Sequence, residues 1–518
     1  MKLLMSMHEQ ANKIKKVLIV NRSEVALRIQ ATCKALGMSI VAVYAPQDAA
    51  SLYVAQADEA YALSGHGFAA YLRQDDIIEI AKKASVDAIH PGYGFLSENA
   101  DFAEKVIAAG FIWVGPSPEA IRAMGDKIKA RMIAQAAGVP VIPGDFVALD
   151  QDGHLEQGLA IAKRIGFPVI IKDPLAGGGK AMRRVDGPCL FADAWRAVVS
   201  EAGRLTSSRE LLIEKYLDGG RHIEIQVAGD GTDALHFFER ECSVQRRHQK
   251  IVEEAPCCFV DRSVLQEMAH ISVQLAKAVA YASLGTVEFM VTADGAFYFL
   301  EMNTRLQVEH SVTEMTTGVD LVALQFLIAQ GCGLGYEQAA IRQTGHAIEC
   351  RVYAEDPFAN FAPSTGQLTH VFFAHAPWIR VDHDLCVGGQ VSPLFDPMIA
   401  KITVFGANRT LAIGAMVHAL QSSVIGGITT NMLFLKRLVQ APFFVQGMIT
   451  TQTLQNKDIL SMLTQPELLA PQDQLAALLA VMLVQERQQP EVSAAAAIKE
   501  QVEPARQQSS WWRLQQWK

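Results

Sequence analysis

Residues Lys15 to Tyr44 constrain the fold more than any other segment of this chain. Lys15 to Val20 is an apolar run of strand length. Ser23 to Leu36 then places Val25, Ile29 and Cys33 on one helical face, Gly37 closes the helix, and Ser39 to Tyr44 reads as strand again. This is a βαβ unit. Further strands are expected at Val86 to His90 and Phe111 to Val114, so residues up to about 126 form an open α/β layer with ligands beyond the strands' C-terminal ends.

The punctuation changes after Gly138. Pro140, Pro143 and Gly144 lead into a small strand-rich segment with Phe167 to Lys172, a glycine cluster at 177–179, and Leu211 to Leu217. Strands at His222 to Ala228, Ala234 to Glu239, Val287 to Val291 and Phe297 to Glu301 point to a larger antiparallel sheet. A third unit begins near His346, rich in glycine and proline turns, with a helix over Arg409 to Ser422. At 518 residues the chain is long enough for two to four domains. A net charge of −8 argues against a nonspecific nucleic-acid surface, leaving a local basic pocket for a small anion. No run approaches the roughly 18 to 20 apolar residues of a membrane span; the longest candidate is Leu475 to Val484. The N-terminus turns polar too soon for a secretory signal, and the eight cysteines are scattered without metal-type pairs, so the expectation is reduced thiols in a cytoplasm. From about 457 the chain is rich in Gln and Ala and ends in Trp511, Trp512 and Trp517.

Three segments concentrate chemistry. In Glu301 to His310, period-two geometry would put Glu301, Asn303, Arg305, Gln307 and Glu309 on one face of a partly buried strand, where unpaired charges are costly. A cleft holding a metal and an anion resolves that cost. Arg246-Arg247-His248-Gln249-Lys250 gathers cations that repel one another unless an anion is near; the bland alternative is an exposed basic loop. Lys172, followed by Gly177, Gly178, Gly179 and Lys180, sets an ammonium at a strand end before a loop whose bare N–H groups suit phosphates. It is neither a Walker A loop nor GxGxxG.

With Asn21 to Ile29, HPGYGFLSEN (90–99), Met124 to Lys127, Glu214 to Leu217, Arg221 to Val227 and HAIECRVYAEDP (346–357), these segments resemble biotin carboxylase over about residues 13–456. Asp396 to Lys401 and Thr430-Asn431 look most like the acyl-CoA carboxylase α-subunit branch. The resemblance implies an α/β and α+β multidomain fold: an N-terminal pre-ATP-grasp layer (13–126), an ATP-grasp domain (127–336) with a glycine-loop lid at about 142–216, a C-terminal biotin carboxylase domain (343–456) and a tail (457–518). It implies ATP binding by Lys127, Lys172, Gly177, Gly178, Gly179, Glu214, Lys215, Leu217, His222, Gln245, His248 and Glu288. Mg2+ (or Mn2+) falls to Glu288, Glu301 and Asn303, bicarbonate to Lys250, Arg305, Gln307 and Val308, and biotin to Tyr93 and Arg351. Glu309 is the implied base, with Arg305, Lys250 and Arg351 beside it in catalysis. The implied partners are a biotin carboxyl carrier and a carboxyltransferase, in a homodimer or larger complex. Taken singly, Glu288 reads as a salt-bridged sheet residue, His222 as an ordinary strand histidine, and Arg351 as a partner of Glu349 or Glu355; the order of the whole set overturns those readings.

The chain also departs from the family pattern. Ala176 and Ala181 stand where relatives carry glycine; if either needs a positive φ, the cost is on the order of 1 to 2 kcal/mol. Pro174 lacks an N–H, while Asp173 should point away from Lys172. Lid closure, and with it ATP affinity or turnover, is the property these changes touch. Milder departures are Ser23 for Gly, Ser283-Leu284 for Gly-Ala, Ser311 for Pro and Leu394-Phe395 for a tyrosine pair. No AMKM-like biotinylation site occurs, so the expectation is a carrier on a separate polypeptide or a truncated chain. The alternatives are another ATP-grasp ligase, such as a carbamoyl-phosphate-forming one, and a catalytically impaired nucleotide-binding structural subunit.

Overall fold

The computed structural model describes residues 13–150, 153–174, 181–206 and 208–465. The opening βαβ reading is borne out: strands Lys16–Ile19 and Ser39–Tyr44 pair in parallel across helix Ser23–Ala35. They belong to a five-stranded parallel sheet that Glu59–Ala62, Ala88–His90 and Ile112–Trp113 complete. Its core includes Leu18, Val41, Ile89 and Phe102.

A second, four-stranded antiparallel sheet orders Gly144–Ala148, Glu210–Lys215, Val169–Lys172 and Met182–Val185. Helices His154–Ile165 and Pro188–Leu205 cover it, and Phe191 and Trp195 fill their own small core with Val169 and Ile213. Asp173 is buried, and its carboxylate accepts from the Thr206 hydroxyl, consistent with its pointing away from Lys172. Gly177, Gly178, Gly179 and Ala176 lie outside the described residues. Ala181 is within them, and its φ is +47°, the left-handed region in which a Cβ is strained. Ser23 has φ +57°, so this departure carries the same kind of strain rather than being mild.

The third sheet has eight antiparallel strands, in the order Phe297–Asn303, Ala282–Val291, Arg221–Asp230, Ala234–Arg246, Gln249–Ala255, His346–Tyr353, Met398–Gly406 and Ile379–His383. It takes strands from both sides of the boundary near His346, where sequence patterning marks a new unit. The structure overturns one alternative reading and one expectation. The basic run is not a loop: Ala234–Arg246 continues to Arg246, and only Arg247 and His248 turn, with φ +52° and +66°. That is the positive pair a primed two-residue hairpin requires. Conversely, strand geometry stops at Asn303, and 304–309 is a turn leading into helix His310–Thr317. Arg305, Gln307 and Glu309 therefore do not share a strand face with Glu301. The Glu98 carboxylate draws the chain aside, accepting from the Thr304 N–H at 3.1 Å and from Arg305 Nε at 2.9 Å.

Candidate active site

Sheet register gathers the charges. Glu301 pairs with Glu288, Glu288 with Glu224, and Glu224 with Arg240, so one cross-strand row carries three carboxylates and a guanidinium on one face. Arg240 is fully buried and donates to Glu224, to Gln226 at 2.7 Å, and to Thr313 and Thr286 at 3.0 Å. The short turn at 247–248 brings Lys250 back over this row. Its ammonium meets Glu224 at 2.5 Å, Glu288 at 2.8 Å and Glu309 at 2.7 Å. Burial works against that ammonium, but Glu224, Glu288 and Glu309 hold its pKa well above the usual lysine value.

Glu309 sits between two cations, Lys250 on one oxygen and Arg351 at 3.1 Å on the other. Burial raises its pKa, but Lys250 and Arg351 outweigh burial and keep the carboxyl well below the usual range. Arg351 also donates to Glu253 at 2.6 Å, rather than to Glu349 or Glu355. Glu288 is a hub, accepting from Asn303 and Gln307 amides at 2.9 Å, with His222 Nε2 at 3.0 Å from its second oxygen. Gln245 in turn lies 2.9 Å from His222 Nδ1. Arg305 bonds Asn303 at 2.8 Å and Glu98, close to this cluster but turned toward the 90–99 loop.

The four-stranded sheet contributes a second basic group. Lys172 and Arg131 both pair with Glu214, Arg131 at 2.8 Å. Burial, opposed by Glu301 and reinforced by Lys172, lowers the pKa of Lys127. Lys215 donates its ammonium to the Gly166 and Phe167 carbonyls at 3.0 and 3.1 Å, and Leu217 follows that strand half-buried. His248 is exposed at the hairpin tip, just before the strand that carries Lys250. Tyr93 lies against the N-terminal core with its hydroxyl buried and unbonded, and its carbonyl accepts from Asn21. Sequence reasoning assigned no role to Glu98, Arg131, Glu224, Arg240, Glu253 or Lys401. Glu224, two residues after His222 on the same strand face, was within reach of the period-two rule; the others depend on tertiary contacts.

The donor set suits a hard divalent cation. Glu301 faces Glu288 across the strand pair, and burial together with that carboxylate raises its pKa, a repulsion that a cation between them would relieve. His222, Glu224 and Glu288 also cluster closely, but the Lys250 ammonium already balances that group.

A phosphate-suited basic group on a small separate sheet, facing a carboxylate row on a large antiparallel one, is the architecture of an ATP-grasp ligase. Three family descriptions match in succession: "Biotin carboxylase, N-terminal domain" over 13–121, "Carbamoyl-phosphate synthase L chain, ATP binding domain" over 126–336, and "Biotin carboxylase C-terminal domain" over 349–456. A biotin carboxylase of Halalkalibacterium halodurans is 46% identical over 444 residues, covering 85% of this chain and 97% of that one. The human mitochondrial propionyl-CoA carboxylase alpha chain is also 46% identical, over 443 residues, but this chain spans 60% of its length. The biotin carboxylase of Campylobacter jejuni, solved as a β-γ-ATP complex, superposes with TM-score 0.82 at 39% identity, covering 85% of this chain and 98% of that one. The biotin carboxylase domain dimer of Hydrogenobacter thermophilus 2-oxoglutarate carboxylase, solved with MgADP, ADP and bicarbonate, gives 0.84 at 38%, covering 88% and 99%. The chain belongs to the biotin carboxylase family, ATP-dependent ligases that work with Mg2+ and carboxylate biotin borne on a carrier.

Proposed function

We propose that the Lys250–Glu309–Arg351 cluster is where bicarbonate is activated and biotin carboxylated. The observation that carries this reading is the double grip on Glu309. A buried carboxylate between two cations is deprotonated throughout the neutral range but a weak base. Bicarbonate entering beside Lys250, Arg305, Gln307 and Val308 draws the cations toward itself and raises the proton affinity of Glu309. Glu309 then takes the bicarbonate proton, and the carbonate oxygen attacks the γ-phosphorus of ATP as ADP leaves, forming carboxyphosphate. Carboxyphosphate separates into CO2 and phosphate. The phosphate removes the ureido N1′ proton, and Arg305 and Arg351 stabilise the enolate that captures CO2. Tyr93 lies at the ureido ring. Lys127, Lys172, Glu214, Lys215, Leu217, His222, Gln245 and His248, with the 177–179 glycines, hold the nucleotide. Glu288, Glu301 and Asn303 would hold Mg2+, which supplies charge neutralisation on the phosphates. Positioning and electrostatics carry the catalysis.

The units proposed for this chain are 13–126, 127–336, 343–456 and a tail from 457. It is a cytoplasmic subunit acting with a carboxyl carrier and a carboxyltransferase on an acyl-CoA of the acetyl, propionyl or methylcrotonyl type, as a homodimer or larger complex. Among the described residues no single helix is long and apolar enough to cross a membrane. Purified protein is expected to hydrolyse ATP in a bicarbonate-dependent manner stimulated by free biotin; folded protein at background rate would overturn the proposal. Glu309→Gln is expected to lower this rate by about 10² to 10⁴-fold while MgATP still binds by calorimetry.

A further inference from the structure

The turn at 307–309 is held from behind at both of its carbonyls. His310, with Nδ1 2.7 Å from the Gln307 carbonyl, fixes one peptide. The Lys401 ammonium donates to the Val308 carbonyl and fixes the next. Neither peptide is cis, so each N–H points opposite its own carbonyl, away from these two holders. The Val308 and Glu309 N–H groups have no backbone acceptor among the described residues. Adjacent free N–H groups beside a lysine and an arginine form a seat for an oxyanion.

Lys401 is itself built in. It is fully buried on strand Met398–Gly406, directly opposite Arg351, so neighbouring strands send cations to consecutive residues of the turn, Lys401 to Val308 and Arg351 to Glu309. Glu349 lies 3.5 Å and Asp382 3.6 Å from its ammonium. Glu349 is held in turn by the Ser311 hydroxyl and by Thr403 Oγ1 at 3.0 Å, with Thr403 also 3.1 Å from Ser311. The Ser311 hydroxyl thus joins the start of helix His310–Thr317 to the anchor of Lys401.

We propose that Lys401 is a positioning residue for bicarbonate: by holding the Val308 carbonyl it aims the Glu309 N–H into the cleft, beside the Val308 N–H that His310 aims. This rests on the cleft being the bicarbonate site. Lys401→Met is expected to raise KM for bicarbonate about ten-fold or more while the Kd for MgATP stays within about two-fold. Lys401→Arg, which keeps a donor, is expected to restore part of the loss. Because the single variant leaves Glu349 buried without its cation, the charge-balanced pair Glu349→Gln/Lys401→Met is measured alongside it. An unchanged bicarbonate KM in either folded variant overturns the proposal, as does failure of both to fold, which would make Lys401 a folding residue. A wild-type protein without bicarbonate-dependent turnover fails earlier and overturns the site assignment instead.

Discussion

Single residues in this protein do opposite things with the same side chain. Glu309 is buried and strongly acidic because Lys250 and Arg351 flank it; Glu24 is equally buried, and burial, only partly countered by Lys401, pushes its carboxyl up to about 8. One oxygen of Glu24 has no hydrogen-bond partner. Its folded pKa is above its unfolded value, so the folded state binds the extra proton. Its contribution to stability is complete below about pH 4.5 and is lost as pH rises toward 8. Glu24→Gln is expected to flatten this dependence, leaving the variant more stable than wild type at pH 8 by a few kcal/mol at most, on the order of 1.4 per pKa unit. Urea titrations at pH 5 and pH 8 measure it; a variant equally destabilised at both would show that Glu24 does not titrate in this range.

At the scale of elements, tight turns decide where the chemistry goes. The Arg247-His248 turn keeps the hairpin in register, so that Gln245 pairs with Lys250 and the ammonium lands over the carboxylate row. Both turn residues accept left-handed backbone without glycine, a local strain of the kind that accumulates at functional sites. Ala181 does the same where the chain leaves the glycine loop for strand Met182–Val185, with its N–H on Glu201 at 3.1 Å. Ala181→Gly removes roughly 1 to 2 kcal/mol of strain and adds back about 0.5 to 1 of backbone entropy. The expected outcome is a lid region more stable by up to about 1.5 kcal/mol, with a lower KM for ATP. Hydrogen exchange across 182–215 and steady-state kinetics check this, and slower turnover with faster exchange would contradict it.

Across the whole molecule, the eight-stranded sheet joins the middle and C-terminal units through shared strand pairing. Strand Gln249–Ala255 pairs on one side with its hairpin partner and on the other with His346–Tyr353, which also supplies Arg351. A fragment ending at 336 would expose that strand's edge and leave Glu253 without its guanidinium. It is therefore expected to aggregate or bind nucleotide poorly, as size-exclusion chromatography and calorimetry would show; a monodisperse fragment with wild-type affinity for MgATP would refute this coupling. The four-stranded sheet has its own core and two helices, and is expected to exchange amides independently of the rest.

By itself, the amino-acid sequence determined the opening βαβ unit, most strand positions and the family, because apolar periodicity and ordered motifs are local properties of a chain. It also pointed to Lys250, Glu288, Glu301 and Arg351 as parts of one site. Only the tertiary structure decided that Glu301 and Glu309 do not share a strand, since a single carboxylate, Glu98, captures Thr304 and Arg305 from about two hundred residues away. It alone paired Arg351 with Glu253 and brought Lys401 to Val308. Those contacts join segments far apart in sequence, and no spacing rule encodes which buried charge will find which partner when a shared sheet closes.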